Sequence, residues 1–237
     1  MKPQGSRHGL ARALSKLGYC SRSEANRLIL AGRVSLNGRV RRDPDTPTRH
    51  ESDVIAVDGS PVVAAARFYL MLNKPRGYVT TAKDELERET IFDLLPNTKR
   101  QAHLSAVGRL DKASEGLLLL TNDNDWAARL TDPSSHVDKV YHVQINAVAD
   151  DAMLKGMTTG VDDLRAKSVS VIRSGGKTCW LEVVLDEGKN RHIRRLLESL
   201  GQEVLRLVRV QIGPLKLGEL PKGQIRELTA AEVKALA

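Results

Sequence analysis

Apolar residues at Leu10, Ala13, Leu14 and Leu17 recur at helical spacing and stop at Gly18, so the pattern predicts a first helix closed by a glycine C-cap. Ser21-Arg22-Ser23-Glu24 has the form of a capping box, opening a second helix through Leu28 and Ile29 to Gly32. The two make a helix-turn-helix-like pair. Val34-Ser35-Leu36 and Arg39-Val40 then flank Asn37-Gly38, the strongest two-residue hairpin signal, and Val54-Ile55-Ala56-Val57 leads into a second turn at Asp58-Gly59. A compact unit is expected over residues 1–60. The stretch 61–67 carries no clear periodicity and is expected to be a linker to a second domain over 68–237.

From Phe68 the pattern turns to strands with helices interposed. Phe68-Tyr69-Leu70-Met71-Leu72 is halted by Lys74-Pro75-Arg76-Gly77, and the unbroken apolar run Leu117 to Leu120 has the mark of a central strand covered on both faces. Further strands are expected at 140–145, 169–172, 180–185 and 204–210. Helices fit 125–130, 150–156, 190–200 and a C-terminal stretch opened by the Thr229-Ala230-Ala231-Glu232 capping box. The expected fold class is α+β: a small N-terminal domain, then a domain on a mixed, mostly antiparallel sheet with flanking helices.

Composition narrows the possibilities. With 41% hydrophobic and 28% charged residues in 237, the chain can bury one large core or two modest ones. Cys20 and Cys179 stand far apart, no C-x-x-C occurs and the six histidines are scattered, which supports neither a disulfide scaffold nor a zinc site. A reducing cytoplasm is the expected compartment. No apolar run approaches the roughly 20 residues of a membrane span, and the first ten residues lack the apolar stretch of a secretion signal. No membrane partner is expected.

Charge is more telling by its position. The net charge is +8, and the segment from Arg7 to Arg42 carries it: nine basic residues (Arg7, Arg12, Lys16, Arg22, Arg27, Arg33, Arg39, Arg41, Arg42) against Glu24 alone. A polyanion docking there is the direct reading, and nucleic acid is the commonest such partner. Aromatics are only 3% of the chain, so phosphate contacts and RNA shape suit it better than a platform stacking successive bases.

Three groups of residues could carry chemistry. Gly108-Arg109-Leu110-Asp111-Lys112-Ala113-Ser114-Glu115-Gly116 puts a carboxylate at the mouth of the apolar strand, where a nucleophile or base would be held rigidly; as spacing alone, the same residues equally suit a turn. At 100° per residue, Arg191, Arg194 and Arg195 gather opposite Ile193, Leu196 and Leu197. With Lys189 and His192 they could clamp phosphates or orient a carboxylate, unless they form a solvated face. Tyr141 shares a strand face with Val143 and Ile145, and by composition alone it is a core tyrosine.

As a whole the sequence resembles a known family. FYLMLNKPRGYVTT, GRLDKASEGLLLLTND, KVYHVQI and EGKNRHIRRLLESLGQEVLRLVRVQIGPLKLG resemble, in order, the blocks of the RsuA/RluB/RluE/RluF family of ribosomal-RNA pseudouridine synthases. LARALSKLGYCSRSEANRLILAGRVSLNGRV resembles the RNA-binding module of small-subunit ribosomal protein S-four. The resemblance implies isomerisation of a specific uridine in ribosomal RNA, free or in a pre-ribosomal particle, by a monomer using no metal and no cofactor. Asp111 matches the catalytic aspartate that attacks the uridine. Tyr141 matches the tyrosine that stacks on the flipped uracil and takes part in proton transfer, and Arg194 matches the basic residue paired with the aspartate, with Arg191 its nearest competitor. Asn73, Lys74, Pro75, Arg76 and Gly77 match a block near the cleft with no assigned step. RNA contacts are expected from Arg7, Arg12, Lys16, Arg22, Arg27, Arg33, Arg39, Arg109, Lys189, Arg191 and Arg195. The competing function is a non-catalytic RNA-binding or ribosome-assembly protein, whose mark would be loss of the aspartate, tyrosine or arginine; all three are present.

Overall fold

The structure is a computed structural model, and it describes residues 7–49, 51–81, 84–96 and 103–236. The chain divides into two compact units. One covers Met1–Phe68, Pro96–Ser105 and Thr121–Asp125; the other covers Tyr69–Leu95, Ala106–Leu120 and Trp126–Ala237.

The first unit opens with a two-residue strand, β1 (His8–Gly9), and two helices, α1 (Leu10–Lys16) and α2 (Arg22–Leu30). Leu10, Ala13 and Leu14 of α1 meet Ala25, Leu28 and Ile29 of α2 in one apolar core, as their spacing requires. Ser21 caps α2 by accepting from the Glu24 amide at 3.1 Å. The expected reciprocal half of the box is not formed, because the Glu24 carboxylate is engaged by Arg27. A four-stranded sheet follows, in the order β3 (Arg39–Arg41), β2 (Val34–Leu36), β5 (Ile55–Val57), β6 (Ser60–Pro61), while β4 (Pro47–Thr48) pairs with β1. Asn37 and Gly38 both take positive φ, 51° and 78°, so the β2–β3 hairpin closes through the left-handed two-residue turn that Asn-Gly favours. Past Pro61, residues 62–67 have no helix or strand. Val62 nevertheless packs on the core, and Ala65 donates to the Leu17 carbonyl at 2.8 Å.

The second unit is built on a nine-stranded sheet. Its main path runs β11 (Ser168–Ser174), β12 (Cys179–Leu185), β10 (Lys139–Ile145), β13 (Val204–Ile212), β9 (Glu115–Thr121), β7 (Tyr69–Lys74), β15 (Ile225–Glu227), with β14 (Leu215–Lys216) beside β13 and β8 (Ser105–Val107) beside β9. β13 and β9 run parallel, and β11–β12, β12–β10, β10–β13, β13–β14 and β7–β15 are antiparallel. All seven residues of β9 are buried, as the run of leucines predicts for a strand covered on both faces. Leu117 and Leu119 meet Trp126 and Leu130 of α3 (Asn124–Thr131) in an apolar cluster that also holds Met71 and Ile212. Gly116 has a φ of 102° and lies so close to β13 that a Cβ would overlap the Arg209 carbonyl; only glycine permits the parallel pairing there.

α4 (Asp151–Thr159) is capped by Asp150, which accepts from the Met153 amide at 2.8 Å, and α6 (Ala230–Ala235) has the full Thr229/Glu232 capping box. The helix expected over 190–200 is shorter. α5 spans His192–Ser199, because Arg191 adopts a left-handed φ of 49° just before it. β8, β14 and β15 and the 3-10 turns Ile91–Leu94 and Pro133–Ser135 had no signal, being too short to show a period.

Candidate active site

Asp111 lies in the turn that feeds β9, and residues distant in sequence fix that turn. Lys74, at the end of β7, is fully buried, and its ammonium donates to three carbonyls: Asp111 at 3.1 Å, Ser114 at 2.8 Å and Pro75 at 3.1 Å. Burial pulls the Lys74 pKa down to about 8, against the opposing fields of Asp111 and Glu115. Thr80 donates its hydroxyl to the Leu110 carbonyl at 2.7 Å and accepts from the Leu110 amide at 3.3 Å, while the Gly77 amide donates to the Lys112 carbonyl at 2.8 Å. The stretch from Lys74 to Thr80 is thus a cradle for the Asp111 turn. At its far end Glu115, nearly fully buried, accepts from Arg206 at 2.7 and 3.1 Å and from Lys222 at 2.5 Å. These two cations hold its carboxyl below the usual range despite burial.

A cavity of about 310 Å³ opens over the turn, lined by Asp111, Tyr141, Arg109, Lys189, Arg191 and Arg194 among others. Tyr141 is buried on β10 between Val183 of β12 and Arg209 of β13. Arg194, on the first turn of α5, donates to the carbonyls of Ala113 at 3.2 Å and Val204 at 3.3 Å. Burial, then the Arg191 and Arg76 guanidiniums, lower its pKa, and the Asp111 carboxylate opposes them. The direct Asp111–Arg194 pair does not form: among the described residues Asp111 has no ion pair within 4.0 Å, and Arg191 does not take that place either. Arg194 grips the turn two residues past the carboxylate and acts on Asp111 through space.

Of the three arginines expected to gather, Arg191 and Arg194 come together at the cavity and Arg195 does not join them. Arg191 precedes the helix and is exposed, Arg194 turns inward, and Arg195 is exposed and does not line the cavity. The break at Arg191 spoils a 100° projection begun upstream of it. Lys189 is engaged with Glu187 at 2.9 Å and Asp163 at 3.4 Å, and Arg109 is exposed at the cavity wall. In the first unit Arg7, Arg12, Arg22 and Arg39 are exposed; Lys16 pairs with Asp125 at 2.9 Å, Arg33 with Asp58 at 2.5 Å and Arg27 with Glu24. Among the described residues no cluster of His, Cys, Asp and Glu could hold a metal ion, and no helix is long and apolar enough to cross a membrane.

Sequence reasoning left Lys74 without a task and missed Glu115, Arg206, Arg209 and Lys222. A lysine closing an apolar run, as in LMLNKP, is the one local signal that could have marked a buried ammonium.

The enzyme class emerges from comparison with known proteins. Residues 68–199 match the RNA pseudouridylate synthase family and residues 9–55 match the S4 domain. An uncharacterized RNA pseudouridine synthase of Aquifex aeolicus is 39% identical over 228 residues, covering 94% of this chain and 91% of that protein. Ribosomal large subunit pseudouridine synthase B of Bacillus subtilis is 33% identical over 234 residues, covering 96% and 94%. A crystal structure of a pseudouridylate synthase superposes with a TM-score of 0.67 at 27% identity, over 98% of this chain and 100% of that one. The chain belongs to the RNA pseudouridine synthase family, an isomerase class, and its pairing of S4 and synthase domains is that of the RsuA/RluB branch.

Proposed function

We propose that this enzyme isomerises one specific uridine of ribosomal RNA to pseudouridine, with Asp111 as nucleophile, Tyr141 against the uracil and Arg194 holding the aspartate's turn. The observation that carries this reading is a carboxylate with no ion pair among the described residues, on a turn pinned by Lys74, Thr80 and Arg194, facing a cavity that also holds a tyrosine. The reaction breaks the bond from the ribose to N1 and forms one to C5; the C5 proton leaves and N1 gains one, so atoms and electrons balance without oxidant or metal. A positioned carboxylate and a proton route suffice. Extruding the uridine costs a few kcal/mol, which phosphate contacts elsewhere offset.

Those contacts we assign to an RNA-binding module over residues 1–60, connected by 61–67 to a catalytic domain over 68–237. Its exposed Arg7, Arg12, Arg22 and Arg39 come first, with Lys16, Arg27 and Arg33 sharing themselves between RNA and their carboxylates. Arg109, Lys189, Arg191 and Arg195 would serve near the cavity. The substrate is ribosomal RNA, free or in an assembling particle, and the cytoplasm is the compartment where both meet a monomeric enzyme. Mapping pseudouridines in ribosomal RNA from cells with and without the gene tests the reading: one site should vanish without the gene and return with the wild-type chain but not with Asp111→Asn. Full restoration by Asp111→Asn would reject the nucleophile.

A further inference from the structure

A second cavity, of about 210 Å³, adjoins the first. The two share Gly108, Arg109, Thr131, Tyr141, Gly188 and Lys189 in their walls, whereas Asp111 and Arg194 line only the first. Its floor is apolar, made by Leu119, Leu130 and Ile212 of the core. The sheet adds two cations, Lys139 and Arg209, on the face that carries Tyr141; Arg209 stands directly across β10–β13 from that tyrosine. Arg209 is only 5% exposed. Its Nε donates to the Leu117 carbonyl at 2.8 Å, but its Nη2 is buried with no partner. A buried donor left unmatched costs free energy, which is recovered when the guanidinium turns to meet an acceptor entering the cavity. Asp132, Asp186 and Glu187 share the lining with Arg109, Lys139, Lys189 and Arg209, so donors and acceptors alternate around it, which suits a phosphate less well than a group offering both. A neutral ring suits an apolar floor beneath mixed donors and acceptors, with carbonyl oxygens for Arg209 and Lys139 and an amino or imino group for the carboxylates.

We propose that this second cavity receives the base of a nucleotide next to the target uridine, stacked on Tyr141 from the side away from the target and read at its edge by Lys139 and Arg209. One ring lining both cavities would then replace part of the stacking that the RNA loses when two neighbours leave the helix. The inference rests on the synthase reading above and deepens it, from the reacting base to the sequence around it.

The test begins with wild-type enzyme and ribosomal RNA from cells lacking the gene, to map the modified uridine. A synthetic stem-loop spanning that site is then made with an abasic nucleotide on the 5′ or the 3′ side of the target, one at a time. The expected result is that one flank, and only one, raises the half-saturating RNA concentration about ten-fold, since a stacked base contributes that order of affinity. Lys139→Met and Arg209→Gln should weaken binding of the intact stem-loop and suffer a smaller further loss from the abasic site. Lys139→Met serves where Arg209→Gln fails to fold. Equal affinity for intact and both abasic RNAs, or an undiminished abasic penalty in Lys139→Met, would overturn the subsite while leaving the synthase reading intact. Absence of any pseudouridine made by wild-type enzyme would overturn both.

Discussion

At the scale of single residues, the site is organised by side chains that hold the turn of Asp111 from outside it. Lys74 is the clearest case, because one ammonium serves three carbonyls that lie one to forty residues away along the chain. Lys74→Met takes this donor from the Pro75 and Ser114 carbonyls, leaves the Asp111 carbonyl only the Ser114 amide, and should lower stability by about 2–4 kcal/mol, measured by urea unfolding at pH 7. The pH dependence has a definite sign. The folded pKa is about 8 and the ordinary value 10.5, so between them the unfolded chain holds a proton that the folded chain has released. This group's contribution to stability therefore rises with pH across that window, and the rise should be missing in Lys74→Met. Arg194 donates to the carbonyls of Ala113 and Val204 and leaves Asp111 without a direct partner, so fork geometry counts for more than charge. Single-turnover rates should fall in the order wild type, Arg194→Lys, Arg194→Ala, with Arg195→Ala changing RNA affinity and leaving the rate nearly untouched. An Arg194→Ala enzyme as fast as wild type would sink the assignment.

Among the elements, β9 decides the geometry. Its leucines bury both faces, and its first residues join the Asp111 turn to the rigid middle of the sheet. The parallel contact with β13 exists because Gly116 lets the Arg209 backbone approach. Gly116→Ala should cost about 3 kcal/mol or more, through strain at positive φ and loss of that pairing, and should lower the unfolding midpoint without changing the denaturant slope. Strand and turn signals in the sequence were dependable where they were local: the Asn37-Gly38 hairpin, the Thr229 capping box and the leucine run all sit where their chemistry puts them. The Ser21–Glu24 box forms only its Ser21 half, and α5 is a second exception. Arg191 leaves helical φ ahead of it, and no periodicity of apolar residues reports a single left-handed residue.

For the whole molecule, the distribution of charge separates cations already matched from those open to a polyanion. Arg12, Arg22 and Arg39 are exposed and without an ion pair among the described residues, whereas Lys16, Arg27 and Arg33 are paired. Replacing the first three by Gln in the intact chain should lower the slope of log affinity for ribosomal RNA against log salt by about 2–3, and replacing the second three should lower it less. An unchanged slope in a salt titration of the first variant would remove the N-terminal segment from the interface. The sequence by itself determined the helices and hairpins of the first unit, the buried central strand, the basic segment and the residues matching a pseudouridine synthase, because each of these is a property of neighbours along the chain or of a motif read in order. The tertiary structure alone decided that Lys74 and Thr80 hold the Asp111 turn, that Arg194 grips that turn without pairing with Asp111, that Glu115 is neutralised by Arg206 and Lys222, and that Tyr141 borders two cavities. Those contacts join residues 30 to 107 positions apart, apart from the cavity walls. Local pattern fixes which face of an element is buried, whereas strand order and register fix which faces meet, and only the packed sheet sets those.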